Sequence, residues 1–170
     1  MPALPALRWR TGPSCAGRWC MGRFLSTFPG RLDSKGRVSL PASFRAELEA
    51  DGYPGVLLHP ALDQPAIEAG GNRLLSEIDG LIGRFPPYSE ARDLMATALL
   101  GQAEALRLDP EGRIVLPERF KLHARIGAAL VFVGLGAKFR IWAPECFSAY
   151  LEEATSKLRD VRAGLPGNPG

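Results

Sequence analysis

Two segments of this chain place an arginine directly after a turn of the form Asp-x-x-Gly. Residues 33–37 read Asp-Ser-Lys-Gly-Arg, and residues 109–113 read Asp-Pro-Glu-Gly-Arg. In such a turn the Asp can hydrogen-bond the backbone, and the Gly tolerates the left-handed conformation that a short loop needs. The arginine would project from the base of the turn, where its guanidinium could bind a phosphate or a guanine edge. The alternative, equally open on chemistry alone, is an ion pair with the Asp that locks the turn.

The two segments belong to a longer internal repeat. At a constant offset of 76, residues 33–45 and 109–121 share six identities in thirteen positions, far more than a chance alignment gives. The identical pairs are Asp33 with Asp109, Gly36 with Gly112, Arg37 with Arg113, Leu40 with Leu116, Pro41 with Pro117 and Phe44 with Phe120. The conservative pairs are Val38 with Ile114 and Arg45 with Lys121. The repeat predicts two copies of one supersecondary unit.

The elements that must position the turns follow the same order in both copies. A strand enters each turn, and a β-branched run returns from it to a proline that suits a first helical turn. A short helix, two strands and a longer amphipathic helix follow. The predicted strands are 24–32, 38–40, 55–59, 66–69, 104–108, 114–116, 129–133 and 139–142. The predicted helices are 42–50, 72–85, 89–101, 118–125 and 144–160.

The longer helices each carry an apolar face. In residues 72–85 the face consists of Leu74, Ile78, Leu81, Ile82 and Phe85. In residues 144–160 it consists of Phe147, Leu151, Ala154 and Leu158. Spacings of three and four residues place these side chains on one side of a helix, so we expect both helices to pack through them.

The charge of the chain is informative only locally. The net charge is +3, and the first twenty residues contribute all of it through three arginines and no acid. From Met21 onward the formal charge is zero, so global basicity says nothing about partners. Residues 22–46 carry five basic side chains against one acid, whereas residues 107–125 carry five against three. The first turn is therefore the better candidate for contact with a polyanion.

The first twenty residues differ in character from the rest. They contain no apolar run long enough for a signal-peptide core, and their composition leaves two explanations. One is an organellar transit peptide; the favoured one is a start codon assigned too early, with Met21 opening the protein. Cys15 and Cys20 lie in this leader, so Cys146 alone remains, which agrees with a reducing cytosol. No stretch of about 18 apolar residues occurs, so no transmembrane helix is expected.

The order strand, Asp-x-x-Gly-Arg turn, strand, Pro, short helix and strand pair resembles the SpoVT-AbrB swapped-hairpin domain. Two such units in one chain, the first spelled Asp-Ser-Lys-Gly-Arg, resemble the MraZ family over about residues 21–155. The resemblance implies an α+β, β-rich fold in which tandem swapped-hairpin repeats form a small β-barrel-like core with packed helices. The implied division is a leader at 1–20, domains at 26–72 and 102–145, a helical connector at 73–101, a C-terminal helix at 146–163 and a disordered tail at 164–170.

The resemblance also implies a function. It predicts a sequence-specific DNA-binding transcriptional regulator, acting as a repressor in the cytoplasm and associated with the nucleoid. Its partners would be double-stranded DNA, at short direct repeats upstream of its own division and cell-wall gene cluster, and further copies of itself in a ring. No cofactor, metal, membrane or small-molecule substrate is expected.

The residues divide into contacting and structural groups on this interpretation. Arg37 is the main candidate for DNA contact, and Lys35 is expected to bind phosphate. Arg31, Arg45 and Arg23 complete the predicted DNA-binding set. The predicted turn and structural residues are Asp33, Gly36, Pro41, Asp109, Gly112, Arg113 and Pro117. Arg113 falls in this second group because Lys35 corresponds to Glu111, which makes the second turn less attractive to phosphate.

Two other classes of protein fit these residues less well. An enzyme is disfavoured because His59 and His123, the only histidines, lack nearby metal-ligand partners, and Ser43 and Ser148 lack a nucleophile-elbow context. The Gly-x-Gly at 134–136 indicates a turn between strands rather than a dinucleotide site. An antitoxin-like or scaffold protein of the same fold is the alternative. Such an antitoxin usually has one repeat and a long disordered tail, whereas this chain has two repeats and a short Gly/Pro tail.

Overall fold

The computed structural model describes residues 22–164 and contains eight strands and five helices within that range. The strands are β1 (Thr27–Arg31), β2 (Arg37–Ser39), β3 (Val56–Pro60), β4 (Ala66–Gly70), β5 (Glu104–Leu106), β6 (Arg113–Val115), β7 (Ala129–Gly134) and β8 (Phe139–Trp142). The helices are α1 (Ala42–Ala50), α2 (Asn72–Ile82), α3 (Glu90–Leu99), α4 (Glu118–His123) and α5 (Pro144–Ala163). The predicted α+β class and the predicted order of elements are confirmed.

The two repeats exchange strands. The six-stranded antiparallel sheet has the order β1-β7-β8-β4-β3-β5, and β2 pairs with β6 in a separate two-stranded sheet. Thus β1 of the first repeat lies against β7 of the second, with Thr27 opposite Val133 and Arg31 opposite Ala129. The strands that flank each Asp-x-x-Gly turn therefore pair with strands of the other repeat. Neither repeat completes its sheet alone.

Element boundaries differ from the predicted ones where backbone geometry interrupts the periodic pattern. The predicted strand 24–32 is regular only over β1, because Ser26 has a φ of 74°, which breaks the extended backbone. Phe24 still forms an isolated bridge with Gly136. The predicted helix 118–125 ends at His123, since Arg125 has a φ of 54°. The predicted leader and nearly all of the predicted tail lie outside the described residues.

The main core is aromatic and belongs to both repeats. The Phe44 ring lies 5.2 Å from that of Phe24 and 4.8 Å from that of Phe139, measured between ring centroids. The rings of Phe28 and Phe132 also pack against Phe44, at 5.4 and 6.4 Å. Edge-to-face and tilted pairs at these distances add to the stabilisation from apolar burial. Since three rings come from the first repeat and two from the second, the repeats should unfold together.

The two amphipathic helices behave differently. In α2, Leu74, Ile78 and Ile82 are buried as predicted, whereas Leu81 is exposed and the helix ends before Phe85. In α5 only the first turns are covered, where Phe147 packs near Trp142. Leu151 and Leu158 are half exposed, so the prediction that this helix packs along its whole apolar face is wrong. The physical reason is its length: α5 has twenty residues, about 30 Å, whereas β7, the strand that it contacts, has six, about 20 Å. None of the helices found between residues 22 and 164 is both long and apolar enough to cross a bilayer.

A buried charged cluster joins the repeats behind the sheet. Glu68 on β4 accepts hydrogen bonds from Arg140 Nη2 on β8 at 2.6 Å and from Nζ of Lys138, the residue before β8, at 2.9 Å. His59 Nε2 on β3 lies 3.4 Å from Glu68 Oε2, and its Nδ1 lies 3.0 Å from the carbonyl oxygen of Pro60. Burial lowers the pKa of His59, and this effect outweighs the Pro60 carbonyl and the Glu68 charge, which raise it.

This cluster predicts a dependence of stability on pH. Because the pKa of His59 is lower in the folded than in the unfolded chain, the unfolded chain binds more protons just below the ordinary histidine pKa of about 6.5. The free energy of unfolding should therefore fall as the pH drops below that value, by at most about 1.4 kcal/mol per pH unit from this group. Urea unfolding at pH 7.5 and 5.5 measures the effect.

The second histidine supplies the control. His59→Gln should remove the slope in this pH interval, whereas His123→Gln, at an exposed position, should retain it. An NMR titration of His59 with a midpoint at or above the usual histidine value would contradict the prediction.

Candidate nucleic-acid interface

The first turn, residues 33–37, is built by its aspartate. Asp33 Oδ1 accepts hydrogen bonds from the backbone N–H groups of Lys35 at 2.8 Å and of Arg37 at 2.9 Å. Gly36 has a φ of 73°, the left-handed conformation that the sequence predicted. The Arg37 backbone N–H is the main cause that lowers the pKa of Asp33 to about 2, against the opposing effect of burial. The carboxylate therefore stays charged and holds the turn.

The Arg37 guanidinium is only partly committed to this turn. Its Nε donates to Asp33 Oδ2 at 2.7 Å, so the turn-locking ion pair is present. Neither Nη atom has a hydrogen-bond or ion-pair partner among residues 22–164. The side chain is 29% exposed. Arg37 can therefore hold the turn with one nitrogen and present two others to an acceptor outside the chain.

The second turn, residues 109–113, has the same backbone and a different charge arrangement. Asp109 Oδ1 accepts from the backbone of Glu111 and Arg113, and Gly112 again has a φ of 73°. Arg113 Nε donates to Asp109 Oδ2 at 2.7 Å, and its Nη2 donates to Glu111. The hydrogen bond to Asp109 is the main cause that raises the pKa of Arg113, with Glu111 adding to it. Both sides of this guanidinium are engaged within the protein.

The predicted basic residues do not all gather at the first turn. Lys35 and Arg37 share it, and Arg31 is exposed at the end of the strand that enters it. Arg23 is exposed before the opposite end of that strand. Arg45 lies at the second turn, where its Nη1 is 3.4 Å from the carbonyl oxygen of Glu111.

Strand exchange explains where Arg45 lies. Leu40, the residue after β2, donates its backbone N–H to the Gly112 carbonyl at 3.0 Å, so α1 begins beside the second turn. Reciprocally, Leu116 donates to the Gly36 carbonyl, and α4 begins beside the first turn. The predicted helix-start prolines, Pro41 and Pro117, are the N-caps of these helices.

One basic residue near the first turn was missed by the sequence reasoning. Lys121 Nζ lies 3.9 Å from the position that a β-carbon on Gly36 would occupy. The signal was present, because Lys121 aligns with Arg45 at the offset of 76. Proximity in sequence alone places Lys121 at the second turn and therefore does not reveal this contact.

The protein thus has two exposed turns, each with an arginine held by an aspartate carboxylate. Both turns are carried by sheets whose strands come from both repeats. The family model described as "MraZ protein, putative antitoxin-like" matches residues 99–163. The transcriptional regulator MraZ of Xanthobacter autotrophicus is 56% identical over 145 residues, which are 85% of this chain and 92% of the relative. The regulator of the same name from Beijerinckia indica is 54% identical over 149 residues, 88% of this chain and 91% of the relative.

A third transcriptional regulator MraZ, from Azorhizobium caulinodans, is 54% identical over 150 residues, or 88% of this chain and 96% of the relative. These matches span both turns and the frame between them. The chain belongs to the MraZ family of transcriptional regulators, whose members are not enzymes.

Proposed function

We propose that the chain is a sequence-specific DNA-binding repressor that contacts DNA through its first turn. The observation that carries this proposal is the contrast between two otherwise equivalent arginines. Arg37 keeps both Nη atoms without a partner among the described residues, whereas Arg113 is held by Asp109 and Glu111. Two adjacent guanidinium donors match the bidentate acceptors of a guanine or a phosphate.

The other groups at the first turn support the same role. Lys35 stands at the tip of the turn, and Arg31 lies two residues before Asp33. Lysines and arginines at such positions bind phosphate and set the register of a protein on the duplex without reading bases. Arg23 and Arg45 would act, if they contact DNA, from separate places on the surface. The first turn therefore forms the centre of the proposed interface.

We also propose that the strand-exchanged frame is a tandem swapped-hairpin barrel, with half-domains at 26–72 and 102–145. The pairing of β1 with β7 and of β2 with β6 supports this assignment. A single chain would then supply both halves of the barrel. The connector at 73–101 would carry α2 and α3 between them.

The proposed target is a set of short direct repeats upstream of the gene and of its division and cell-wall cluster, in the nucleoid. A ring of several copies would place several first turns on evenly spaced DNA sites. The support for a regulatory role is the name of the curated relatives, which are transcriptional regulators. Binding of several turns at once would raise the affinity through effective concentration.

Binding to the upstream DNA of the gene should depend steeply on salt. The slope of log affinity against log salt is about −0.9 for each phosphate that the protein neutralises. A protein that engages several first turns should therefore show a steep negative slope. Fluorescence anisotropy with the upstream DNA and with a scrambled duplex, at a series of salt concentrations, measures both slope and specificity. An affinity that is nearly independent of salt, or equal for the two duplexes, would contradict the proposal.

An antitoxin-like function is a second candidate, favoured by two observations. The family model carries the words antitoxin-like, and α5 exposes Leu151, Leu158 and Val161. An exposed apolar stripe on a helix suits contact with another protein. The salt series separates the candidates, because a protein partner would be bound mainly through apolar burial.

A further inference from the structure

A basic residue of each repeat reaches the turn of the other repeat. At the first turn, Leu116 N–H donates to the Gly36 carbonyl at 3.0 Å, and the chain then enters α4. Lys121 N–H donates to the Pro117 carbonyl at 3.3 Å, which sets Lys121 one helical turn above the start of α4. Its Nζ thereby comes to lie beside Gly36, 3.9 Å from the position that a β-carbon there would occupy.

At the second turn the equivalent basic residue, Arg45, packs directly against the turn. Arg45 lies so tightly on Gly112 that a β-carbon there would be 2.1 Å from Arg45 Nη1. The same Nη1 is directed at the Glu111 carbonyl. The Arg45 guanidinium thus fills the space above the second turn, and its Nη1 already contacts the backbone of that turn.

The contact that Lys121 makes is easier to exchange than those of Arg45. Within residues 22–164 its ammonium has one ion-pair partner, Glu118, on the same helix. The Glu118 side chain is 70% exposed, and the Lys121 side chain is 21% exposed. Because the Glu118 carboxylate is largely in solvent, its attraction for Lys121 is screened and contributes about 0–1 kcal/mol, so Lys121 can exchange Glu118 for another anion at little cost.

We propose that Lys121, from the second repeat, completes the DNA-contacting surface of the first turn by binding a phosphate beside Lys35 and Arg37. This inference rests on the proposed function. Each DNA-contacting surface is then composite: the first repeat supplies the turn, and the second repeat supplies a phosphate contact from α4. A lysine is suited to this role because its ammonium acts as a point charge without the directional demand of a guanidinium.

The first experiment compares three lysines by anisotropy with the upstream DNA. Lys121→Met and Lys35→Met should each weaken binding several-fold. Lys121→Met should also make the slope of log affinity against log salt less negative, by about 0.9 for each first turn engaged. Lys121→Arg keeps the charge and should retain the affinity. Lys157→Met is the charge control, since Lys157 is a more exposed lysine that also pairs with a glutamate of its own helix, Glu153 on α5, and this variant should bind as the unmodified chain does.

The second experiment uses the acidic partner. Glu118→Gln frees Lys121 and should tighten binding, and this gain should disappear in the Lys121→Met background. Glu153→Gln removes the same charge from α5 and should have no such coupled effect. The double-mutant cycle isolates the Lys121–Glu118 contribution from a general change in net charge.

The outcomes separate this inference from the proposed function. If Lys35→Met and Arg37→Ala weaken binding while Lys121→Met does not, the composite surface is wrong and the first-turn proposal stands. If Lys121→Met and Lys121→Arg weaken binding equally, the role of Lys121 is not electrostatic and the inference is overturned. If the unmodified chain does not bind the upstream DNA, both proposals fail. Thermal unfolding of each variant identifies any loss that comes from the fold.

Discussion

Arg37→Ala is expected to abolish specific binding to the upstream DNA, whereas Arg113→Ala is expected to leave it nearly unchanged. Loss of a bidentate contact removes about 1–3 kcal/mol per site. In a ring that engages several first turns together, the loss would be multiplied through avidity. The Arg113 guanidinium already donates hydrogen bonds to Asp109 and Glu111, so truncation of this side chain should change the stability of the second turn instead of DNA binding. Gel shifts with both variants, at one salt concentration, measure the difference.

Each variant also needs a test of its fold and assembly. Size-exclusion chromatography and thermal unfolding should show Arg37→Ala unchanged in assembly, because among residues 22–164 its side chain pairs with Asp33 alone. The same two measurements should show a change in stability or assembly for Arg113→Ala. If Arg113→Ala removes DNA binding with its assembly intact and Arg37→Ala does not, the DNA-contacting face belongs to the second turn.

Phe44→Ala is expected to have the largest effect on stability. The Phe44 ring is fully buried and contacts four other rings from both repeats. Truncation of such a residue leaves a cavity and costs about 3–5 kcal/mol of the free energy of unfolding. Because the core is shared, the two repeats should lose stability together in one transition. Urea unfolding, followed by fluorescence and by circular dichroism, measures both quantities.

The control for this prediction lies on the surface of the second repeat. Leu122→Ala removes an exposed side chain from α4 and should change the unfolding free energy little. Two separate unfolding transitions for Phe44→Ala would contradict a core that is common to both repeats.

The repeated turns could be predicted from the sequence because their chemistry is local. The Asp-x-x-Gly pattern specifies its own hydrogen bonds, so the positive φ of Gly36 and Gly112 and the ion pairs of both arginines follow from residues within five positions of each other. The helix predicted at 72–85 follows from apolar spacing in the same way, although it ends at Ile82. Short sequence patterns therefore predict the strands, the helices and the hydrogen bonds within each turn.

Which turn a distant side chain reaches could not be predicted from local rules. The sequence places Arg45 beside the first turn and Lys121 beside the second, and strand exchange reverses both assignments. The exposure of Leu151 and Leu158 likewise depends on where the sheet ends beneath α5, which periodicity does not report. Apolar spacing gives the face of a helix, and only the tertiary arrangement determines how much of that face is covered.

The central claim is that the first turn, and not the second, faces DNA, and site-specific photo-crosslinking tests it most directly. Ser34 and Pro110 occupy equivalent, exposed positions in the two turns, and neither carries a charge. A genetically encoded photo-crosslinking residue at each position, in otherwise unmodified chains, reports which turn lies against the upstream duplex. We predict efficient crosslinks from position 34 and few from position 110. Crosslinks mainly from position 110, or equally from both, would contradict this account.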